Sequence, residues 1–269
     1  MKTFNGKAIY NPSGKAGEYT YWACNFYVGC SNNCTYCYCK KGVLGSVMGG
    51  ITPTLKKCFK DEENALEVFG KELIQNVEEL QKSGLFFSFT TDPMLPECID
   101  LTWDAVGNAI YRNVPVKILT KCTEWVSDFI AYTRECTPKE KSFYAFGFTL
   151  TGHDELEPNA STNSERIEAM AKLHDAGFKT FASIEPIIDI TSSISMIRQC
   201  IGHCDLFKVG LLSGKKYSKQ DLTQLVYWLT IWERDFGIKV YLKDTLISQY
   251  GTDRGILTQF VTRDFNLFK

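Results

Sequence analysis

Short apolar and aromatic runs alternate along this chain with longer stretches of helical periodicity, and few architectures accept that order. LFFSF (85–89), VKILT (116–120), YAFGFTL (144–150), KTFASI (179–184), DLFKVG (205–210) and KVYLK (239–243) are too short for helices and read as strands. Residues 61–82, 102–112, 124–136, 163–176, 191–203 and 218–236 read as the helices between them, with Gly84, Gly177 and Gly237 as stop signals. A further strand is expected near 19–23. Such alternation builds a mainly parallel sheet with right-handed crossovers. Six or seven units predict an α/β fold, a partial (β/α)6 TIM-like barrel with mainly parallel strands, rather than a closed ring of eight. No linker, repeat or low-complexity stretch divides the 269 residues, so a single domain is expected, with 188–269 completing the barrel.

Barrel sites collect at the C-terminal ends of the strands. That rule aims six segments at one mouth: the loop around residues 30–37, Thr90-Thr91-Asp92, Thr120-Lys121, Thr149, Glu185 and Lys208–Gly210. Composition narrows what the mouth can serve. The 30 basic and 31 acidic residues give no overall basic excess of the kind that long nucleic acid requires, although a local patch can hide in a neutral total. A small-molecule substrate is the simpler expectation. No apolar run approaches the roughly 20 residues of a membrane span, and the polar, glycine-rich start is unlike a signal peptide. Eleven cysteines without an export signal predict a reducing, cytoplasmic setting.

Three of those cysteines carry the chemistry. Cys30, Cys34 and Cys37 stand at C-x3-C-x2-C spacing in GCSNNCTYCYCK. Cubane clusters are held by thiolates, normally four. Three ligands within eight residues can grip a cube and leave one iron open to a non-protein ligand. A structural zinc site would want four ligands, usually in two separated knuckles, and Cys39 is the available fourth.

The spacing resembles the signature of the radical S-adenosylmethionine (SAM) superfamily. EPNASTNSERIEAMAKLHDAGFKTFASIEPI (157–187), FSFTTDP (87–93) and YCY (36–38) resemble its spore photoproduct lyase-like branch, over about residues 19–187. The resemblance implies a 4Fe–4S cluster on Cys30, Cys34 and Cys37, SAM chelated at the open iron, and an electron donor such as flavodoxin or ferredoxin. It places Thr90, Thr91 and Asp92 near the SAM amino group, Thr149 near the ribose or carboxylate, and Tyr36 beside the cluster and adenine. Arg166 or Lys121 would take the carboxylate, since a guanidinium clamps one with two parallel bonds. The alternative for Arg166 is a salt bridge to Glu157 or Glu165. Glu185 would orient hydroxyls of SAM or substrate.

One departure matters. Lyases of that branch carry a hydrogen-donating cysteine where this chain has Phe89, which has no thiol to give. Tyr38 and Cys98 are the catalytic candidates in its place. The reaction expected is therefore a lyase reaction on a nucleobase or nucleoside, of the queuine lyase type that salvages a 7-deazapurine. A DNA- or RNA-acting enzyme is the alternative, and a non-catalytic iron–sulfur or zinc scaffold a third. Cys200-Ile201-Gly202-His203-Cys204 looks like a ligand set but stands alone, and burial of its cysteines at a helix end is the default.

Overall fold

The computed structural model describes residues 2–269; Met1 lies outside them. Ten strands form in chain order: β1 (Ile9–Tyr10), β2 (Ala23–Cys24), β3 (Tyr27–Val28), β4 (Thr54–Leu55), β5 (Leu85–Phe87), β6 (Val116–Thr120), β7 (Tyr144–Thr149), β8 (Lys179–Ile187), β9 (Leu206–Leu211) and β10 (Val240–Leu242). The main sheet runs β1-β2-β5-β6-β7-β8-β9-β10, and every pairing from β2 to β10 is parallel. Only β1 runs antiparallel, against β2, while β3 and β4 make a separate small hairpin. Seven parallel strands with no pairing between the first and the last give the expected partial barrel.

Period-two alternation sorts the side chains into two layers. Cys24, Phe87, Ile118, Phe146, Phe148, Ala182, Ile184, Phe207 and Val209 face the helices and join the larger core. Ala23, Phe86, Ala145, Phe181, Leu206 and Tyr241 face inward and fill the barrel. Large and small residues interleave there, and Gly147 shows why. A Cβ on Gly147 would stand 2.2 Å from the ring of Phe181, so the neighbouring strand occupies the space that a side chain would need. Gly147→Ala is expected to lower stability by about 1–3 kcal/mol through overpacking. Urea denaturation reads this, and a variant as stable as the wild type would show that Phe181 has room to move.

Helix ends follow local chemistry. Thr162 and Glu165 form a reciprocal capping box at Asn163–Asp175, Asp61 caps Glu62–Gln75, and Gly237, in the left-handed region, ends Lys219–Phe236. The helix expected over 61–82 is two helices, Glu62–Gln75 and Val77–Ser83. Asn76 breaks it by donating its side-chain amide back to the Glu72 carbonyl, a bond that competes with helix continuation. The strand expected at 19–23 is shorter and later, at Ala23–Cys24, because Tyr19 turns into the barrel instead.

The tail closes the other end of the barrel. Val261 N–H donates to the Val240 carbonyl, Asn266 reaches the Lys82 carbonyl, and Leu267 and Phe268 pack among the inward-facing residues. Lys82 lies just before β5, so the tail crosses the N-terminal ends of the strands and leaves their C-terminal ends open.

Candidate functional site

At those open ends lies a cavity of about 360 Å³. Cys30, Cys34, Cys37 and Cys39 line one side of it, and Glu185, Ser183, Tyr19 and Lys243 line the other. The cysteine loop has little regular structure of its own, so its shape comes from tethers. Cys30 N–H donates to the Gly50 carbonyl at 3.0 Å, Thr35 N–H to the Leu156 carbonyl at 2.9 Å, and Asn159 donates to the Ser31 carbonyl at 2.8 Å. Asn33 adopts a left-handed backbone inside the loop, which asparagine tolerates.

Asp92 is the strongest tether. Its carboxylate accepts from Asn32 at 2.8 Å, Thr120 at 2.6 Å, and the N–H groups of Lys121 at 2.7 Å and Met94 at 3.1 Å. With four donors on two oxygens, Asp92 binds the cysteine loop to the ends of β5 and β6 and has no lone pair left for an amine. Asp92 itself still lines the cavity. Thr90 and Thr91 stay on the cavity wall, Thr90 donating to the Tyr27 carbonyl at 2.5 Å.

A second hub lies behind Cys34. Glu157 and Arg166 are fully buried and paired at 2.5 Å. Arg166 also donates to the carbonyls of Thr149 at 2.5 Å and Ser161 at 2.7 Å, so that each of its three nitrogens is engaged. Of the two roles expected for Arg166, the structure shows the salt bridge; the side chain does not reach the cavity. The Tyr36 hydroxyl donates to the other oxygen of Glu157, so the residue between Cys34 and Cys37 is fixed from behind. Lys121 does face the cavity. Its ammonium lies 5.8 Å from the centre of the Tyr36 ring and 3.9 Å from Glu157. Burial works against its charge, yet Tyr36, Cys34 and Glu157 outweigh burial and hold it well above the ordinary lysine range.

The opposite wall carries a network that the sequence did not single out, apart from Glu185. Lys243 pairs with Glu185 at 2.5 Å, and Tyr19 donates to the same oxygen at 2.9 Å while bonding Ser183 at 2.5 Å. Gly210 lies beneath: a Cβ there would come within 2.7 Å of Lys243 and 2.8 Å of Glu185. The missing side chain leaves the pair its space. Only the spacing of Lys243 one residue past β10 could have flagged it, by the same strand-end rule that flagged Glu185.

Other expected residues divide. Tyr38 lines the cavity, its hydroxyl donating to the Phe89 carbonyl, and Thr149 lines it too. Cys98 does not. It is buried just before the helix Ile99–Tyr111, its sulfur 3.9 Å from the Thr91 hydroxyl, so Thr91 stands where the thiol was expected to emerge. Lys208–Gly210 also miss the mouth, since β9 runs on to Leu211, and Leu211 with the following Leu212 takes that place. Lys208 instead bonds the backbone of Glu18 and Tyr19 inside the barrel.

The donor set can be tested against the groups it would hold. Tetrahedral zinc, with bonds of about 2.3 Å, brings its thiolates to about 3.8 Å of one another. Among the described residues no three cysteine sulfurs lie within even 4.8 Å of one another. Three thiols free of disulfides, spread along one open wall, fit a body larger than a single ion. Burial pushes Cys30 up to about 11, whereas the neighbouring Cys39 holds Cys37 down, at about 6. A bound cation would stabilise the thiolates of Cys30 and Cys34, which burial disfavours.

No family model matches the chain. An uncharacterized protein of Methanocaldococcus jannaschii is 28% identical over 175 residues, 61% of this chain, and the chain spans 59% of that relative. Among solved structures, a double mutant of spore photoproduct lyase with bound AdoMet and dinucleoside spore photoproduct is similar, with a TM-score of 0.59. The likeness covers 86% of this chain and 78% of that one at 15% identity. The chain thus shares the fold of spore photoproduct lyase.

Proposed function

We propose that the chain is a radical SAM enzyme, holding a 4Fe–4S cluster through Cys30, Cys34 and Cys37 and binding SAM in the cavity beside them. The observation that carries this reading is the C-x3-C-x2-C loop opening on a cavity of about 360 Å³ at the C-terminal strand ends. The solved structure that shares the fold supports it, having been determined with AdoMet bound. When bound, such a cluster supplies, from an external donor of the flavodoxin or ferredoxin kind, the electron that splits the SAM sulfonium and yields a 5′-deoxyadenosyl radical.

The chain's own residues position and enclose. Lys121, held charged, is suited to the SAM carboxylate, and Thr90, Thr91 and Thr149 offer hydroxyl oxygens to its polar groups. Tyr36 keeps the cysteine loop in place through Glu157. Glu185 has one oxygen engaged by Tyr19 and Lys243 and offers the other to hydroxyl or N–H groups on the far wall. Phe89, Leu119, Leu211 and Pro186 exclude water from the space between. Tyr38, on the cavity wall, is our candidate to return a hydrogen atom.

The substrate that this cavity suits is a nucleobase- or nucleoside-type small molecule, cleaved in a lyase reaction; a queuine-type 7-deazapurine is the first compound to assay. Lys15, Lys40 and Lys41 on the same cavity favour a substrate with an anionic group. Those lysines, with the dinucleoside in the neighbour, also support a second reading, in which a base of DNA or RNA is flipped into the barrel. Anaerobically reconstituted protein, given SAM, dithionite and the candidate bases, is expected to release 5′-deoxyadenosine, faster with the true substrate. Reconstituted, iron-loaded protein that releases none would overturn the assignment. Binding to a labelled oligonucleotide that weakens steeply with salt would favour the polymeric substrate.

A further inference from the structure

The N-terminal face of the barrel, opposite the cavity, brings together two histidines and a carboxylate from separate units. His174 and Asp175 end the helix Asn163–Asp175, ahead of β8. His203 lies in the turn between the helix Ile190–Cys200 and β9. One ring nitrogen of each histidine and one Asp175 oxygen lie within 4.8 Å of one another, the only such triple of potential ligands among the described residues. Asp175 Oδ1 is 3.8 Å from Nδ1 of His174 and 3.8 Å from Nδ1 of His203. The two rings meet edge to face, 5.9 Å between centroids.

One further observation points to a ligand. The His203 ring is 41% exposed, but its Nδ1 is turned inward, closed off from solvent and without a hydrogen-bond partner. A buried polar atom left unpaired costs about 1–3 kcal/mol, and an absent ion is one of the few explanations for such an atom. The turn that carries it is also held in place. Thr180 donates its hydroxyl to the His203 carbonyl at 2.6 Å, and Asp205 accepts from Thr180 N–H at 2.8 Å. His203 is thereby fixed to the start of β8, next to the helix end that carries His174.

We propose that His174, Asp175 and His203 bind a divalent transition ion, zinc above all, which ties the two turns together at the base of the barrel. Imidazole and carboxylate bind zinc at about 2.0–2.2 Å, which sets tetrahedral ligands about 3.4 Å apart. The observed 3.8 Å closes to that by a few tenths of an ångström of side-chain movement, and Asp175 is exposed and free to make it. Three protein ligands leave the remaining position to water. The neighbouring thiols are not part of the site. Cys200 is buried in the core, and the Cys204 sulfur is turned toward the Leu206 carbonyl at 3.3 Å. The motif-like run 200–204 thus contributes its histidine alone, and its partners come from 28 and 29 residues earlier in the chain.

Isothermal titration of zinc into the cluster-reconstituted protein tests this, with the cluster absorbance followed to show that it stays intact. One stoichiometric site is expected, weakened at least about tenfold in His203→Gln and in His174→Gln and unchanged in Cys204→Ser. Zinc should raise the melting temperature of the wild type and not of the histidine variants, because only the native state presents both turns together. Absence of a stoichiometric site, binding that survives both histidine substitutions, or loss in Cys204→Ser would each overturn the proposal.

Discussion

Cys34→Ala is expected to give a folded protein that no longer retains iron after anaerobic reconstitution and whose 5′-deoxyadenosine production falls by more than about 100-fold. Loss of a single outer partner of a metal site already costs about 10- to 100-fold, and Cys34 is proposed as a ligand itself. Cys39→Ala is the informative control. It is buried on the same wall and lies two residues from Cys37. A cluster held at three corners does not need it, whereas a closed four-thiolate site would. Iron and sulfide analysis with an activity assay separates the two. Full iron content in Cys34→Ala, or equal loss in both variants, would remove the three-cysteine assignment.

Arg166→Met is expected to lose about 3–5 kcal/mol of stability, because it leaves the Glu157 carboxylate buried without its partner. Both side chains are fully inaccessible, and Arg166 also satisfies the Thr149 and Ser161 carbonyls. For a chain of this length the corresponding drop in melting temperature is about 10 °C. Adding Glu157→Gln to Arg166→Met should restore part of the loss, since the uncompensated charge is then gone. The damage reaches the site as well, because Glu157 also holds the Tyr36 hydroxyl and Tyr36 lies between Cys34 and Cys37. Reduced cluster retention should therefore accompany the instability. A change below about 1 kcal/mol in urea denaturation would show that Glu157 relaxes to water or to Lys121 at little cost.

The two substitutions act at opposite ends of what the sequence shows. The cysteine triplet is local, so its spacing is visible in eight residues. Arg166 could be placed only as one of two alternatives, since its choice between a bound carboxylate and Glu157 depends on depth inside the fold. Cys98 and Lys208 were misplaced for a related reason. Cys98 lies eleven residues past β5, on a loop whose path no local pattern sets, and Lys208 stands mid-strand because β9 runs on to Leu211. The paired two-residue strands at Ile9–Tyr10 and Ala23–Cys24 are too short for any period to register.

Sequence alone determined the strand–helix order, the parallel barrel class and the thiol triplet, because hydrophobic period and ligand spacing are properties of neighbouring residues. Tertiary structure decided which polar groups are already satisfied and which are free. Asp92 and Arg166 are consumed in holding the site, Lys121 and Glu185 face the cavity, and Lys243 joins them from β10. His174 and His203 meet only because adjacent barrel units bring their turns together. Hydrogen-bond saturation and burial are set by segments far apart in the chain, so no local pattern encodes them.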